Sequence, residues 1–299
     1  MNGPIRKVTV FIAVLMAALL ANMTVISVVR ADSLNADGRN RRVRDAEFSQ
    51  NRGAILVGTE PIAESEPRKG RFPYVRTYPE GETWSSVTGW YSYDYARSGL
   101  EQSFNAELAG TSSEQSFERV LDLLAGRRSQ GANISTTLNP AAQRAAVRAL
   151  GSKRGAAIAM DYTTGEILAL VSTPTFDPNR LSTVDLAAQR EAWDELLNAD
   201  DEPLKNRGTR EVYPPGSTFK LVTSAAALTD GMSSSSMIPA GKSYRLPNST
   251  AVINNADDCG GSSITLAQAL KTSCNTAYAQ LGVRLGDDKI RAQAQKFGF

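Results

Sequence analysis

The sequence contains no histidine among its 299 residues. A Ser-His-Asp or Cys-His mechanism therefore has no imidazole base within this chain, and metal sites built on histidine are excluded as well. An activated serine here needs a different proton acceptor, and lysine is the main alternative. The missing residue type directs attention to serines that have a lysine nearby.

Charged residues are missing from one long segment near the N-terminus. Val8–Val29 contains none, and it is bounded by Arg6, Lys7 and Arg30. About 20 apolar residues in a helix cross the hydrocarbon core, whereas the apolar part of a cleavable signal peptide spans only about 7–15. We therefore predict an uncleaved membrane anchor. Arg6 and Lys7 favour a cytoplasmic N-terminal tail with the remaining chain outside, although Arg30 favours the reverse.

Cysteine and net charge are scarce. The two cysteines, Cys259 and Cys274, are too few for a disulfide scaffold or a complete zinc site. They are either two unpaired buried thiols or one bridge that closes a short loop, and a location outside the membrane slightly favours the bridge. A formal net charge of +2 is too close to zero to argue for a nucleic-acid partner.

The segment after the apolar run has a mixed pattern. Residues 31–45 are polar and rich in charge, which indicates a solvated linker beside the membrane. Short β-like segments are predicted at Tyr74–Tyr78 and Trp90–Tyr95. Helices are predicted at Ser116–Leu124 and at Pro140–Leu150, where the proline stands in a tolerated first-turn position.

The pattern becomes clearer from Gly155 onward. Ala156–Asp161 and Glu166–Ser172 are apolar runs around a turn with a glycine, which predicts an antiparallel hairpin. Further helices are predicted from apolar spacing at Asp185–Leu197, Leu221–Leu228, Ile264–Leu270, Thr276–Leu281 and Asp287–Phe297.

Ser217 stands where one of these helices is predicted to begin, directly after Tyr-Pro-Pro-Gly. The positive end of a helix dipole and its unpaired N–H groups favour negative charge on an attacking oxygen. Lys220 shares a helix face with Ser217, and its amine could accept the serine proton if burial lowers the lysine pKa. On the spacing alone, an N-cap serine followed by a surface lysine is the simpler interpretation.

Ser273 and Asn275 form a second polar element, placed between two predicted helices. The serine could relay a proton to a leaving group, and the asparagine could hold a substrate amide or orient Lys220. The alternative is a polar turn in which Asn275 caps the following helix.

Taken together, these elements resemble the class B penicillin-binding proteins, and among them the penicillin-binding protein A type of actinobacteria. The resemblance rests on segments that match the two motifs, the opening of the transpeptidase domain and the region before it. These segments are Tyr213–Lys220, Lys271–Ala277, Gly155–Ser172, Pro174–Asn179, Ile134–Leu138, Gln143, Arg52–Ile55, Tyr78–Pro79 and Leu100–Glu101.

The resemblance implies an α+β fold in three parts. Residues 1–30 would form the cytoplasmic tail and transmembrane helix, and residues 31–150 a linker and a small α+β pedestal domain. Residues 151–299 would form the N-terminal part of a transpeptidase domain, which has an antiparallel sheet with helices on both faces.

The resemblance also implies a peptidoglycan D,D-transpeptidase that β-lactams acylate and that needs no cofactor or metal. Ser217 would be the nucleophile and Lys220 the general base, while Ser273 and Asn275 would relay protons and position substrate. The partners implied are stem peptides ending in D-alanyl-D-alanine, β-lactams, the membrane at residues 8–29, and proteins of cell division or elongation as candidates.

One part of the family pattern is missing. The third motif, Lys-Thr/Ser-Gly, does not occur, and the sequence ends 24 residues after Asn275. We therefore expect a truncated domain that binds β-lactam poorly as an isolated chain. Three alternatives stay open: a D,D-carboxypeptidase or β-lactamase of the same fold, an inactive fragment or scaffold that includes β-lactam sensors, and a structural wall-binding module.

Overall fold

A computed structural model describes residues 2–35, 40–115, 121, 125 and 130–299. Most of the helix predicted at Ser116–Leu124 lies outside these residues. The chain forms two compact units, Met1–Glu211 and Val212–Phe299.

The first unit begins with the predicted apolar helix. Helix α1 (Asn2–Thr24) continues into a π-helical segment at Val25–Val29. Within the described part of the chain, Gly3–Val29 is the one helix that is long and apolar enough to cross a membrane, and its side chains are exposed. The predicted apolar run Val8–Val29 is helical, and the helix begins before the run, at Asn2.

The segment predicted as a solvated linker is largely helical instead. It contains α2 (Ala31–Asn35) and the start of α3 (Arg41–Phe48). The ring of Phe48 stacks on Tyr91 at 4.5 Å between centroids, and Tyr93 donates a 2.6 Å hydrogen bond to Asp45. These contacts bind α3 to the following domain, so the linker prediction is wrong for this helix.

A four-stranded sheet organises the part of the unit after α3. Its strands, in spatial order, are β3 (Tyr74–Thr77), β2 (Glu60–Pro67), β1 (Ile55–Val57) and β4 (Ile134–Thr136). Strands β1 and β4 are parallel and the other pairs antiparallel. The strand predicted at Tyr74–Tyr78 is confirmed, whereas Trp90–Tyr95 contributes only an isolated bridge between Tyr91 and Arg97.

Short helices cover this sheet and complete its core. They are α4 (Gly81–Thr88), α5 (Gly99–Ser103) and α6 (Asn105–Leu108). The buried core includes Ile55, Ile62, Trp84, Leu108 and Leu138.

The hairpin predicted after Gly155 is present. Strands β5 (Gly155–Met160) and β6 (Ile167–Thr173) pair antiparallel. The predicted helix α7 (Pro140–Leu150) packs against both strands. The remaining helices of the unit are α8 (Asn179–Ser182), α9 (Leu186–Leu197) and α10 (Arg207–Arg210). The side chain of Asp185 caps α9 by accepting from two backbone N–H groups, which explains why the predicted helix begins there.

The second unit combines helices with short strands. A 3₁₀ turn at Gly216–Thr218 leads into α11 (Phe219–Thr229), and α12 (Leu266–Lys271), α13 (Asn275–Leu285) and α14 (Asp287–Lys296) follow later. The strands are β7 (Met237–Pro239), β8 (Ser243–Arg245), β9 (Val252–Asn254) and β10 (Ser263–Thr265).

The packing of this unit corrects one predicted helix boundary. Ile264 lies in β10 and pairs with Ile238 of β7, so the helix predicted from Ile264 begins only at Leu266. The buried core is rich in small residues, including Ala227, Ala269 and Ala277, which lets the helices approach closely. The mixture of helices with mainly antiparallel strands confirms the predicted α+β class.

Candidate active site

Ser217 is exposed in the 3₁₀ turn that starts α11. Gly216 precedes it with φ = +54°, a left-handed conformation that costs glycine little. The N–H of Thr218 bonds the carbonyl of Pro215 at 3.1 Å. The Pro-Pro-Gly segment therefore presents the Ser217 hydroxyl at the surface, at the N-terminal end of a helix, as predicted.

Lys220 lies in the first turn of α11, where four hydrogen-bond contacts converge on its amine. The Nζ atom lies 3.2 Å from Ser217 Oγ and 2.8 Å from Ser273 Oγ. It also lies 2.7 Å from the Ser273 carbonyl oxygen and 2.6 Å from Asn275 Oδ1. The structure thus brings together all four residues predicted from the two motifs.

The chemistry of these contacts suits a neutral amine. The Ser273 carbonyl and Asn275 Oδ1 are obligate acceptors, whereas the hydroxyls of Ser217 and Ser273 can either donate or accept. An uncharged Lys220 has two N–H groups, enough for the two obligate acceptors, and one lone pair that can accept from a serine hydroxyl. The geometry therefore supports transfer of a proton from a serine hydroxyl to Lys220.

Ser273 lies in the tight connection between α12 and α13, and Asn275 is the first residue of α13. Ser273 has φ = +52°, and its hydroxyl lies 3.1 Å from Ser217 Oγ. The amide group of Asn275 is oriented because Nδ2 donates to the Asn254 carbonyl at 3.1 Å, which leaves Oδ1 directed to Lys220. This contact supports the prediction that Asn275 orients Lys220.

Cys274, between these two residues, is buried and forms a disulfide with Cys259. The two Cα atoms are 5.5 Å apart. Of the two alternatives for the cysteines, the structure contains the bridge. It ties the Ser273–Asn275 turn to the loop that follows β9.

Tyr278 is a further residue at this centre, and the sequence motifs did not indicate it. Its ring centroid lies 5.7 Å from Lys220 Nζ, and its hydroxyl lies 2.5 Å from Ser224 Oγ. Ser224 is one helical turn after Lys220, and Tyr278 is one turn after Asn275, so both spacings were visible in the sequence. Their pairing depends on how α11 packs against α13.

Burial controls the ionisation of both groups. It lowers the pKa of the Lys220 amine below the ordinary lysine value, because the charged form loses hydration. Burial raises the pKa of the Tyr278 hydroxyl, while the hydrogen bond with Ser224 acts in the opposite direction. Among the residues that the structure describes, no group of three or more Asp, Glu, Cys or His side chains could hold a metal ion.

Two family models match the chain in succession. The penicillin binding protein transpeptidase domain matches residues 155–299, and the penicillin binding protein A dimerisation domain matches residues 52–134. The first match includes the hairpin β5–β6 and the whole Ser217–Lys220 centre.

Whole-chain relatives agree with these domains. The chain is 44% identical to the peptidoglycan D,D-transpeptidase PbpA of Mycolicibacterium smegmatis, and the alignment covers 100% of this chain and 62% of that protein. PbpA of Mycobacterium tuberculosis is 40% identical with the same coverage. The solved penicillin G acyl-enzyme complex of penicillin-binding protein A from M. tuberculosis has a TM-score of 0.81 at 39% identity, covering 84% of this chain and 60% of that chain.

The chain therefore belongs to the penicillin-binding protein transpeptidases, in the group of penicillin-binding protein A. It spans 62% of the length of the two PbpA relatives.

Proposed function

We propose that this chain carries the acylation centre of a peptidoglycan D,D-transpeptidase. The observation that carries the proposal is the position of Lys220 Nζ, within hydrogen-bond distance of Ser217 Oγ and Ser273 Oγ. A serine beside a lysine of lowered pKa has the base that nucleophilic attack requires. The M. smegmatis and M. tuberculosis relatives are named for the same activity.

In the first half-reaction, Ser217 Oγ attacks the carbonyl carbon of the penultimate D-alanine in a stem peptide. The new C–O bond forms while the hydroxyl proton passes to Lys220 Nζ. The peptide C–N bond then breaks, and the departing D-alanine nitrogen takes a proton from Lys220 through the Ser273 hydroxyl. The products are an ester on Ser217, free D-alanine and a neutral lysine.

In the second half-reaction, the amine of another stem peptide attacks this ester. Its proton passes to Lys220, the ester C–O bond breaks, and Ser217 Oγ takes the proton back. A β-lactam forms the same ester by opening of its ring amide. Asn275 supports both steps because its oxygen holds the Lys220 amine beside the reacting hydroxyl.

We further propose the arrangement around the membrane. Residues 1–30 comprise a cytoplasmic tail and a single span, residues 31–150 a pedestal domain outside the cytoplasm, and residues 151–299 transpeptidase sequence. Peptidoglycan is assembled outside the cytoplasmic membrane, so the active centre has to lie on that side. The positive charges of Arg6 and Lys7 before the span favour this orientation.

Labelling with a fluorescent penicillin tests the assignment of Ser217. In membranes that contain the full protein encoded by the gene, we expect covalent labelling of the wild type and none of Ser217→Ala. Lys220→Ala should lower the labelling rate by at least about 100-fold, in the range expected for loss of a general base. Ser233→Ala, at an exposed serine of the same unit, is the matched control.

Equal labelling of wild type and Ser217→Ala would contradict the proposal. Product analysis separates the related activities: a cross-linked dimer formed with an acceptor peptide supports transpeptidation. Release of D-alanine without a dimer, in the presence of acceptor, would assign a carboxypeptidase instead.

A further inference from the structure

Two basic segments that are distant in sequence are joined by an ion pair in the first unit. Arg41 and Arg42 are exposed in the first turn of α3, and Arg68 and Lys69 are exposed in the loop after β2. We call these four residues the basic patch. The sequence shows only the first pair as part of a charged run, so the structure is needed to bring the second pair beside it.

An ion pair joins the two segments. Arg71, in the loop with Arg68 and Lys69, bonds Asp45 of α3 at 2.9 Å, and Tyr93 holds the same carboxylate. Hydrogen bonds from Tyr93 and Arg71, with the charges of Arg71 and Arg41, lower the pKa of Asp45. Arg41 lies one turn before Asp45 on α3, so the Arg71–Asp45 ion pair brings the Arg71 loop to this end of the helix.

The local charges leave the patch strongly positive. Neighbouring acids are already paired: Asp45 with Arg71, Glu47 with Arg97, and Asp94 with both Arg44 and Arg190. Within the described ranges, no ion pair involves any of the four patch residues, and the nearest acid along the chain is Glu66, which accepts from Thr77. The four exposed cations therefore outnumber Glu66 and Asp45, the acids that lie nearest to them along the described chain.

The length of the chain limits how far the patch can lie from the end of the apolar helix. Roughly a dozen residues separate Val29, at the end of the apolar helix, from Arg41, so even a fully extended connection spans only about 40 Å. Part of that connection is helical, at Ala31–Asn35, which shortens its reach. A tether of this length keeps the effective concentration of headgroups at the patch high.

We propose that the basic patch is an interaction surface for anionic phospholipid headgroups of the membrane that the N-terminal helix crosses. Guanidinium groups match phosphate oxygens geometrically, and basic residues next to a span are attracted to anionic lipid over about one Debye length. Binding would lay α3 and the loop after β2 onto the bilayer and fix the height of the pedestal above it. The proposal is independent of the activity assigned to Ser217.

Hydrogen exchange on the full protein in nanodiscs tests this surface. We expect the amides of Arg41–Phe48 and of residues 68–72 to exchange several-fold more slowly in nanodiscs with about one third phosphatidylglycerol than in pure phosphatidylcholine. High salt should remove the difference. The slower exchange in phosphatidylglycerol should also be absent from the variant Arg41→Gln/Arg42→Gln/Arg68→Gln/Lys69→Gln, since each charge contributes about five-fold to the binding constant for the lipid surface. This variant retains Arg71, which holds the two segments together.

Arg148→Gln/Lys153→Gln removes exposed charges elsewhere in the unit and should keep the full lipid effect. Equal exchange in both lipid compositions would overturn the proposal, as would protection that persists in the fourfold variant. Protection of the wild type by soluble glycerol phosphate in phosphatidylcholine nanodiscs would assign a binding site for a free anion and would also overturn it. The comparison of lipid compositions uses the wild type, so it can overturn the proposal even if a variant does not fold.

Discussion

At the scale of single residues, Lys220 is where the two motifs meet. Its amine contacts Ser217 of one motif and both Ser273 and Asn275 of the other. Each contact is available to an uncharged amine, and burial favours that uncharged form by lowering the pKa of Lys220. Both observations are consistent with a proton acceptor that works without histidine.

The lowered pKa of Lys220 predicts a pH dependence. Since the neutral amine is the reactive form, the second-order rate constant for β-lactam acylation should rise with pH. The midpoint should lie below the value of about 10.4 for an unperturbed lysine. Stopped-flow acylation of the wild type across this range measures it. A midpoint at or above the ordinary lysine value would refute the role of Lys220 as base.

The hydrogen bond between Tyr278 and Ser224 predicts a second effect on the rate. Tyr278→Phe and Ser224→Ala each remove this contact, which lies one helical turn from Lys220 and Asn275. We expect each to slow acylation about ten-fold, because displacement of a base by a fraction of an ångström is costly. β-Lactam affinity should hardly change, and the double variant should be no slower than either single one, because all three lose the same bond.

Separate measurement of the acylation rate and the β-lactam dissociation constant distinguishes this effect from general destabilisation. Thr265→Ala is the matched control, since it removes the side-chain cap of α12 in the same unit. It should lower stability by a similar amount and leave the acylation rate unchanged. Equal slowing by this control would show that Tyr278 acts through stability alone.

At the scale of elements, the Ser273–Asn275 turn depends on the disulfide between Cys259 and Cys274. The bridge closes a loop with a sequence separation of 15 residues. Cys259→Ala/Cys274→Ala should lower the free energy of unfolding of this unit by about 3 kcal/mol, through the entropy that an open loop returns to the unfolded chain.

Hydrogen exchange of the Val212–Phe299 unit is the suitable measurement for this prediction. The three tryptophans, Trp84, Trp90 and Trp193, all lie in the other unit, so fluorescence does not report on it. A reductant should destabilise the wild type and leave the double alanine variant unaffected. Identical protection of wild type and variant would exclude the proposed contribution.

Helices and strands were predictable where the apolar spacing and the turn or capping residues indicated the same element. The hairpin β5–β6 has two apolar runs around a turn, and α9 begins at a capping aspartate, so both were found from the sequence. Ile264 was assigned wrongly because an apolar residue next to a helix fits either state, and its pairing with Ile238 decides for a strand. Helix α3 was missed as a packed element because its contacts with Tyr91 and Tyr93 are distant in sequence.

The same distinction applies to the candidate site. The spacing of Ser217 and Lys220 predicts that one can reach the other, since both lie on one helical turn. The contacts from Lys220 to Ser273 and Asn275 connect positions more than 50 residues apart. From the residues alone, orientation of Lys220 by Asn275 was one alternative beside a helix cap, and the family resemblance favoured it. Tyr278 lies one helical turn after Asn275, but no motif indicated it, and its pairing with Ser224 depends on how α11 packs against α13.

At the scale of the whole molecule, the first unit is held together by a buried charge cluster. Glu101 is fully buried, and its two carboxylate oxygens accept 2.6 Å hydrogen bonds from Arg52 and Arg76. Burial alone would raise the pKa of Glu101, but the charges and hydrogen bonds of Arg76 and Arg52 outweigh it and lower the pKa. The cluster links the segment before β1 with β3 and α5.

Removal of this carboxylate should destabilise the unit strongly. Glu101→Gln leaves two buried guanidinium groups without their counter-charge, so we expect a loss of about 3–5 kcal/mol in the free energy of unfolding. Glu80→Gln, which breaks the exposed pair with Arg144, should cost no more than about 1 kcal/mol. Tryptophan fluorescence during urea unfolding reports on both variants, because all three tryptophans lie in this unit.

The lowered pKa of Glu101 also sets the direction of the pH effect. The stability that it contributes is present above the unfolded pKa of about 4.3 and is lost as pH falls through the lower folded value. Acid unfolding of the wild type should therefore show a loss that Glu101→Gln lacks. A variant as stable as the wild type at neutral pH would contradict the assigned contribution of the cluster.

The setting of Lys220 has a consequence for chemical modification. An amine of lowered pKa has a larger uncharged fraction at neutral pH, and the uncharged form is the one that attacks electrophilic reagents. Brief treatment with an amine-reactive ester should therefore modify Lys220 early despite its partial burial. Since the Ser217 hydroxyl lies 3.2 Å away, prior acylation of that serine should shield the lysine. A lysine-selective probe could in this way report whether the serine is occupied in intact cells, without a labelled antibiotic.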